Sequence, residues 1–244
     1  MTRYHIVREN VKNIGGFKGD PIVHPLYQCS DCSHVINPSF MSTTEECGLC
    51  YDGSNNIGEY LTQIHSVTIY ASQGAFSDHK FTNHIDDIKE GEYAEEMAEL
   101  LEWGVESLGE LQKADYLVPP PRGSDDAEIN HMKNIGEHLS EKVGIPLQDP
   151  LRKSEEYTSQ KEIEDPEKRK ENVKDNFYSE ETFEDDPTII IIDDVATSCG
   201  TLKYGAKALI EAGADKVVGL AISRSEPLDR LKDAEIYKPE NNED

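Results

Sequence analysis

Two adjacent acidic side chains, Asp193 and Asp194, follow four consecutive isoleucines in the run TIIIIDDVATSCGT at residues 188–201. The positions after them are small or hydroxylated: Thr197, Ser198, Cys199, Gly200 and Thr201. Such residues let successive backbone amides converge on an anion, and a helix beginning there turns its positive end toward the same point. The pattern predicts a phosphate-binding turn with carboxylates beside it; there is no GxxxxGKS/T run, which excludes a P-loop. Carboxylates repel a phosphate unless they accept hydrogen bonds from sugar hydroxyls or face a bound Mg2+ that offsets the ligand's charge. A ribose phosphate satisfies both halves of the pattern, and a tight helix start with an aspartate cap and no ligand is the plainer alternative. Cys199 has no His or Asp partner assigned by sequence, so it is read as a small packing or loop residue ahead of a nucleophile.

A second constellation lies near the N-terminus. Cys29-x2-Cys32 and Cys47-x2-Cys50 are separated by fourteen residues, and two such knuckles can close a tetrahedral S4 shell around Zn2+. A closed shell has no open position, so such a zinc holds structure rather than activating water. No core pattern lies between the pairs, and a metal would supply the cross-link that packing does not. Metal-free thiols, a redox pair or an iron site are the other readings of the four cysteines.

The elements that must position the turn follow from periodicity. Residues 188–192 form a β-favouring run without polar alternation, as expected of a central strand covered on both faces, with Asp193 and Asp194 at its carboxyl end. The next helix buries Leu202, Ala206, Leu209 and Ile210. Residues 92–112 carry Met97, Leu100, Leu101, Val105, Leu108 and Leu111 at helical spacing, which predicts a long helix against a core. Residues 116–118 read as a short buried strand stopped by three prolines. A helix then starts near Ser124 to Asp126, with a face of Ile129, Met132, Ile135, Leu139 and Val143, before a second short strand, IPLQD. Strand, helix, strand in this order predicts an α/β fold with a mainly parallel sheet and flanking helices. Residues 57–73 read as extended, with no partner identified.

The chain has 244 residues, with 49 acidic against 24 basic side chains and a formal charge of -25. That length suits one main core with a small appended module. The charge repels nucleic acid at long range and argues against general backbone binding. It also implies self-repulsion that salt relieves, as in a chain adapted to a salty cytoplasm, although an acidic protein of ordinary habitat has the same composition. No run of about eighteen apolar residues and no signal-peptide pattern is present, so the expectation is a cytoplasmic protein without a membrane partner. Residues 151–187 are highly polar, and Lys161, Lys168, Arg169, Lys170 and Lys174 form a basic group. It reads either as a mobile loop that meets an anionic ligand or as a solvated helix and loop.

The run IIIIDDVATSCGT resembles the 5-phosphoribosyl 1-diphosphate (PRPP) motif of type I phosphoribosyltransferases: a hydrophobic strand, two acidic residues and a TTGxT-like turn. Ala196 stands where a larger aliphatic residue is common, and Ser198-Cys199 replaces the more usual Thr-Gly. The order of motifs further resembles the competence protein F (ComF-like) branch. Its features are a four-cysteine zinc module, Tyr51-Asp52-Gly53, Pro119-Pro120-Pro121-Arg122, and Gln160-Lys161 with Arg169, Asn172, Val173 and Phe177. The resemblance spans residues 29 to 225.

The resemblance implies a phosphoribosyltransferase-like core at residues 113–235. It adds an N-terminal segment with a zinc ribbon at 1–56, a hood and helical region at 57–112, and a C-terminal tail at 236–244. It implies that Arg122 and Gly123 hold pyrophosphate, a guanidinium forking onto phosphate oxygens and a glycine permitting close backbone approach. Residues 158–174 would close over PRPP and bring Lys161 and Arg169 to the departing pyrophosphate. Asp193 and Asp194 would orient the ribose, and residues 197–201 would hold its 5'-phosphate. The usual R-G-F-N-Q stretch is here R-G-S-D-D-A-E-I-N, with less positive charge.

Two functions follow, together with a bare zinc-ribbon adaptor for nucleic acid. One is an Mg2+-dependent transferase from PRPP to an unidentified acceptor. The other is a non-catalytic PRPP or nucleotide-binding protein linked to DNA uptake or repair. A homo-oligomer is implied only by the resemblance.

Overall fold

The computed structural model describes residues 60–70, 85, 87–121, 130–154 and 176–225. Cys29, Cys32, Cys47, Cys50, Arg122, Gly123, Lys161 and Arg169 lie outside these residues, as does the 158–174 segment. Among the described residues, six strands and three α-helices follow the order β1 (Ile64–Tyr70), α1 (Ala94–Ser107), β2 (Tyr116–Val118), α2 (His131–Val143), β3 (Leu151–Lys153), β4 (Phe177–Ser179), β5 (Thr188–Ala196), α3 (Gly200–Glu211) and β6 (Lys216–Ser225). No helix among them is long and apolar enough to cross a membrane.

Four strands make one parallel sheet in the order β1-β6-β5-β2, and β3 pairs with β4 in a separate antiparallel ribbon. The isoleucine run is central, as its composition requires. Successive side chains of a strand point to opposite faces, and the two cores divide β5 accordingly. Ile190 and Ile192 pack with Val67, α1 and α2, whereas Ile189 and Ile191 pack with α3 and the β3–β4 ribbon. In β6, Val218, Leu220 and Ile222 join the first core, and Val217 and Ala221 the second. Both faces are therefore covered, which is why neither strand shows polar alternation over its apolar stretch.

Part of the region expected to form a hood belongs to this core. β1 pairs along its length with β6, giving residues 64–70 of the expected extended segment their partner, while residues 57–59 and 71–73 lie outside the described residues; Met97, Leu100, Leu101 and Val105 of α1 are buried against the sheet. The long helix expected over 92–112 is shorter. Leu108 leaves helical geometry, and a 3-10 turn at Leu111–Lys113 follows. Gln112 Nε2 donates to the carbonyl of Glu106 at 2.8 Å, satisfying one of the acceptors that a helix end leaves open.

α2 begins at His131, later than the expected Ser124 to Asp126. Its cap is Asn130, whose side chain accepts the Lys133 amide at 3.2 Å, and Gly144 ends it at φ 73°. Met132, Ile135 and Leu139 form its buried face as the spacing predicts. The second short strand contracts to a single parallel bridge between Leu117 and Leu147. Leu117 donates to Pro146 O and accepts from the Gln148 amide, both at 2.9 Å, and proline has no N–H with which to extend the ladder.

Candidate functional site

The carboxylate pair lies within β5, which runs on to Ala196, past the isoleucines expected to form the strand. Asp193 pairs with Ala221, Val195 with Ser223 and Ala196 with Arg224, because the ten-residue β6 carries the ladder past the isoleucines. Each carboxylate also binds the backbone one residue ahead: Asp193 Oδ1 accepts the Asp194 amide at 3.0 Å, and Asp194 Oδ1 accepts the Val195 amide at 2.6 Å.

Alternation along the strand gives the two carboxylates opposite surroundings. Asp193 continues the series of Ile189 and Ile191 and is buried. Asp194 continues the series of Ile190 and Ile192, and its Oδ2 lies 3.3 Å from His131 Nε2 at the start of α2. Helix and strand can approach this closely because of Gly136. A Cβ there would stand 2.8 Å from Leu147 Cδ1 and 3.1 Å from Ile192 Cδ1.

Burial, reinforced by the neighbouring Asp194 charge, pushes the Asp193 carboxyl well above the usual carboxylate range. Burial pushes Asp194 upward as well, but His131 beside it and the positive charge of Lys89 outweigh that effect and hold it below the ordinary value. Two close carboxyls in one site do not ionise alike, and here burial biases Asp193 toward its neutral form while His131 and Lys89 favour the charge on Asp194. The pair can thus offer one anionic acceptor and one neutral carboxyl to a polar ligand.

Beyond Ala196 the chain turns into α3. Thr197 and Ser198 are exposed, Gly200 and Thr201 are half-buried at the helix start, and Cys199 is buried. Cys199 has φ 59° and ψ 15°, a left-handed conformation that normally favours glycine. Its Sγ accepts a hydrogen bond from Arg224 Nη1, from the end of β6. Arg224 is only 1% exposed. Burial raises the Cys199 thiol pKa, with Arg224 opposing the shift, so this sulfur is packed into the turn and is not an activated nucleophile.

The structure brings Asp193, Asp194 and residues 197–201 together around the end of β5 and the first turn of α3. It adds three residues that sequence reasoning did not single out: His131, Lys89 and Arg224. The only signal for Arg224 was a cation shortly after the apolar stretch of β6. Among the described residues, no group of three or more His, Cys, Asp or Glu side chains could hold a metal ion.

These features define a parallel α/β protein with an acidic strand end and an adjoining helix-start turn. No family model matches the chain, and no curated protein matches it. Among solved structures, the adenine phosphoribosyl transferase of Trypanosoma brucei in complex with AMP, pyrophosphate and ribose-5-phosphate is similar at 15% identity, over 66% of this chain and 73% of that one, with a TM-score of 0.37. The adenine phosphoribosyltransferase of Leishmania tarentolae is similar at 15% identity, over 62% of this chain and 78% of that one, with a TM-score of 0.35. The glutamine PRPP amidotransferase of B. subtilis is similar at 19% identity with a TM-score of 0.34. The match covers 52% of this chain and only 25% of that enzyme's length.

Proposed function

We propose that the chain is a phosphoribosyltransferase that takes Mg2+-bound PRPP as donor and a nitrogen base as acceptor. The observation that carries this reading is the junction of β5 and α3, where the charged Asp194 and the neutral-leaning Asp193 stand just before the turn formed by residues 197–201. Asp194 accepts from ribose hydroxyls, and Asp193 adds a second polar contact. The exposed hydroxyls of Thr197 and Ser198, the amides through Thr201 and the N-terminus of α3 hold the 5'-phosphate.

Mg2+ would arrive with the diphosphate, keep part of its water shell and offset the negative charge of the ligand. The bond from ribose C1 to the diphosphate oxygen breaks, and its electron pair leaves with pyrophosphate. The acceptor nitrogen forms the new bond to C1 and then loses its proton to solvent. Arg122 and Gly123, with Lys161 and Arg169, are proposed for the pyrophosphate side by the motif resemblance, where positive charge stabilises the leaving group. Cys29, Cys32, Cys47 and Cys50 have the donor set of a structural Zn2+ site, so metal analysis of protein prepared without chelators should return one zinc per chain.

A binding protein without turnover is the second reading. It is favoured by Asp125, Asp126 and Glu128, acidic side chains that follow Arg122 and Gly123 and reduce positive charge beside a diphosphate. Pyrophosphate release from PRPP and Mg2+ in the presence of a panel of purine and pyrimidine bases separates the two. Release with any one base supports the transferase, and saturable PRPP binding without release with every base supports the binding protein.

A further inference from the structure

His131 is the first residue of α2, and its Nε2 lies 3.3 Å from Asp194 Oδ2, with the two side chains 23% and 17% exposed. That nitrogen is buried, yet the contact is not aligned as a hydrogen bond and no other partner for it occurs among the described residues. A buried imidazole nitrogen without an aligned partner costs free energy unless something completes its geometry. Meanwhile Asp194 Oδ1 is already committed to the Val195 amide. The carboxylate is thus fixed at one oxygen by its own strand and approached at the other by α2.

From this geometry we infer that His131 is a positioning residue for Asp194: it sets the orientation in which Oδ2 receives a ribose hydroxyl, and its hydrogen bond to the carboxylate becomes aligned when the sugar is bound. The inference rests on the reading that Asp194 meets ribose. Its place in the fold is consistent with that role. Asn130 caps the helix immediately before it, fixing the chain direction at His131. Gly136 brings the helix against Ile192, two residues before Asp194. The phosphate turn is formed by other residues, on the α3 side of β5, so a change at His131 should affect recognition of the sugar and leave recognition of the phosphate alone.

The test is calorimetric titration of the full chain with ribose 5-phosphate and, separately, with inorganic phosphate, comparing wild type, His131→Ala and His131→Gln. Loss of a hydrogen bond to a charged group predicts that His131→Ala weakens ribose 5-phosphate binding by about tenfold or more. Binding of inorganic phosphate should stay within about twofold, because the turn and helix start that hold it are untouched. Glutamine carries an amide donor at similar reach, and its variant should recover most of the lost affinity. Equal weakening of both ligands, no weakening of either, or a His131→Gln variant no better than His131→Ala would overturn the inference while leaving ribose phosphate binding in place. Wild type that binds neither ribose 5-phosphate nor PRPP would instead overturn the parent reading, and this inference with it.

Discussion

Arg224, at the end of β6, donates from Nη1 to the Sγ of Cys199, the residue that closes the turn before α3. The bond joins the last residues of one central strand to the turn that follows the other. It holds Cys199 in a left-handed conformation that costs an ordinary residue roughly 1–2 kcal/mol. Arg224→Met keeps much of the stem's volume but removes the donor. It should change stability by no more than about 1 kcal/mol, as read from urea unfolding, because the sulfur left behind is a weak acceptor and a buried cation is removed. Peptide mapping after iodoacetamide treatment gives a second readout. Cys199 should label slowly in native wild type and faster in Arg224→Met, because loss of the packed guanidinium opens the turn. Equal labelling in both would show that Arg224 does not seal the thiol.

Gly136 governs how near α2 comes to β5. The Leu147 and Ile192 methyl groups occupy the space that a side chain would need. The flexible ends of those side chains can yield to alanine, but a β-branched residue forces helix and sheet apart. Gly136→Val should cost about 1–3 kcal/mol by overpacking. It should also weaken ribose 5-phosphate binding by separating His131 from Asp194. A Gly136→Val protein as stable as wild type would contradict the close approach.

Glu110 gathers the opposite end of the sheet. Its Oε1 lies 3.8 Å from His65 Nε2 on β1, and its Oε2 accepts from Lys216 Nζ on β6 at 3.3 Å. His65, followed by Lys216, holds the carboxyl at about 2 against an ordinary 4.5, despite the upward push of burial. A carboxylate lowered in the folded state adds stability above its unfolded value and loses it as pH falls toward the folded one. Glu110→Gln should therefore lower stability at pH 6, by no more than roughly 1 kcal/mol for so exposed a pair. The difference from wild type should shrink between pH 4.5 and 2. Thermal melts across that range check this, and a constant difference would contradict it.

Local pattern made the centre of the fold readable. The isoleucine run, the two aspartates and the small residues after them sufficed for β5, the turn and the buried face of α3, because each signal lies within a few residues of the element it specifies. The start of α2 was misread because Ser124 and Asp126 are as suitable for a helix cap as Asn130, and only the observed Lys133 amide contact identifies the cap. The partner of β1 was not readable at all, since Ile64 pairs with Gly219 across the chain. His131 escaped notice for the same reason. A single histidine near a helix start carries no pattern, and its meeting with Asp194 depends on the Gly136 approach. Arg224 has no local pattern either, since its contact with Cys199 joins residues 25 apart in sequence.

The most direct test of the account is calorimetric titration of PRPP with Mg2+ into wild type, Asp193→Asn and Asp194→Asn. The ionisation of the pair makes the variants unequal. Burial pushes Asp193 toward the neutral form that asparagine resembles, so Asp193→Asn should change affinity by less than about threefold. Asp194→Asn removes the charged acceptor and should weaken binding by about tenfold to a hundredfold, as expected for a charge-assisted hydrogen bond. Saturable wild-type binding with that asymmetry is the predicted result. Absence of wild-type binding, or PRPP affinity unchanged in Asp194→Asn, would contradict the assignment of this strand end as a ribose phosphate site.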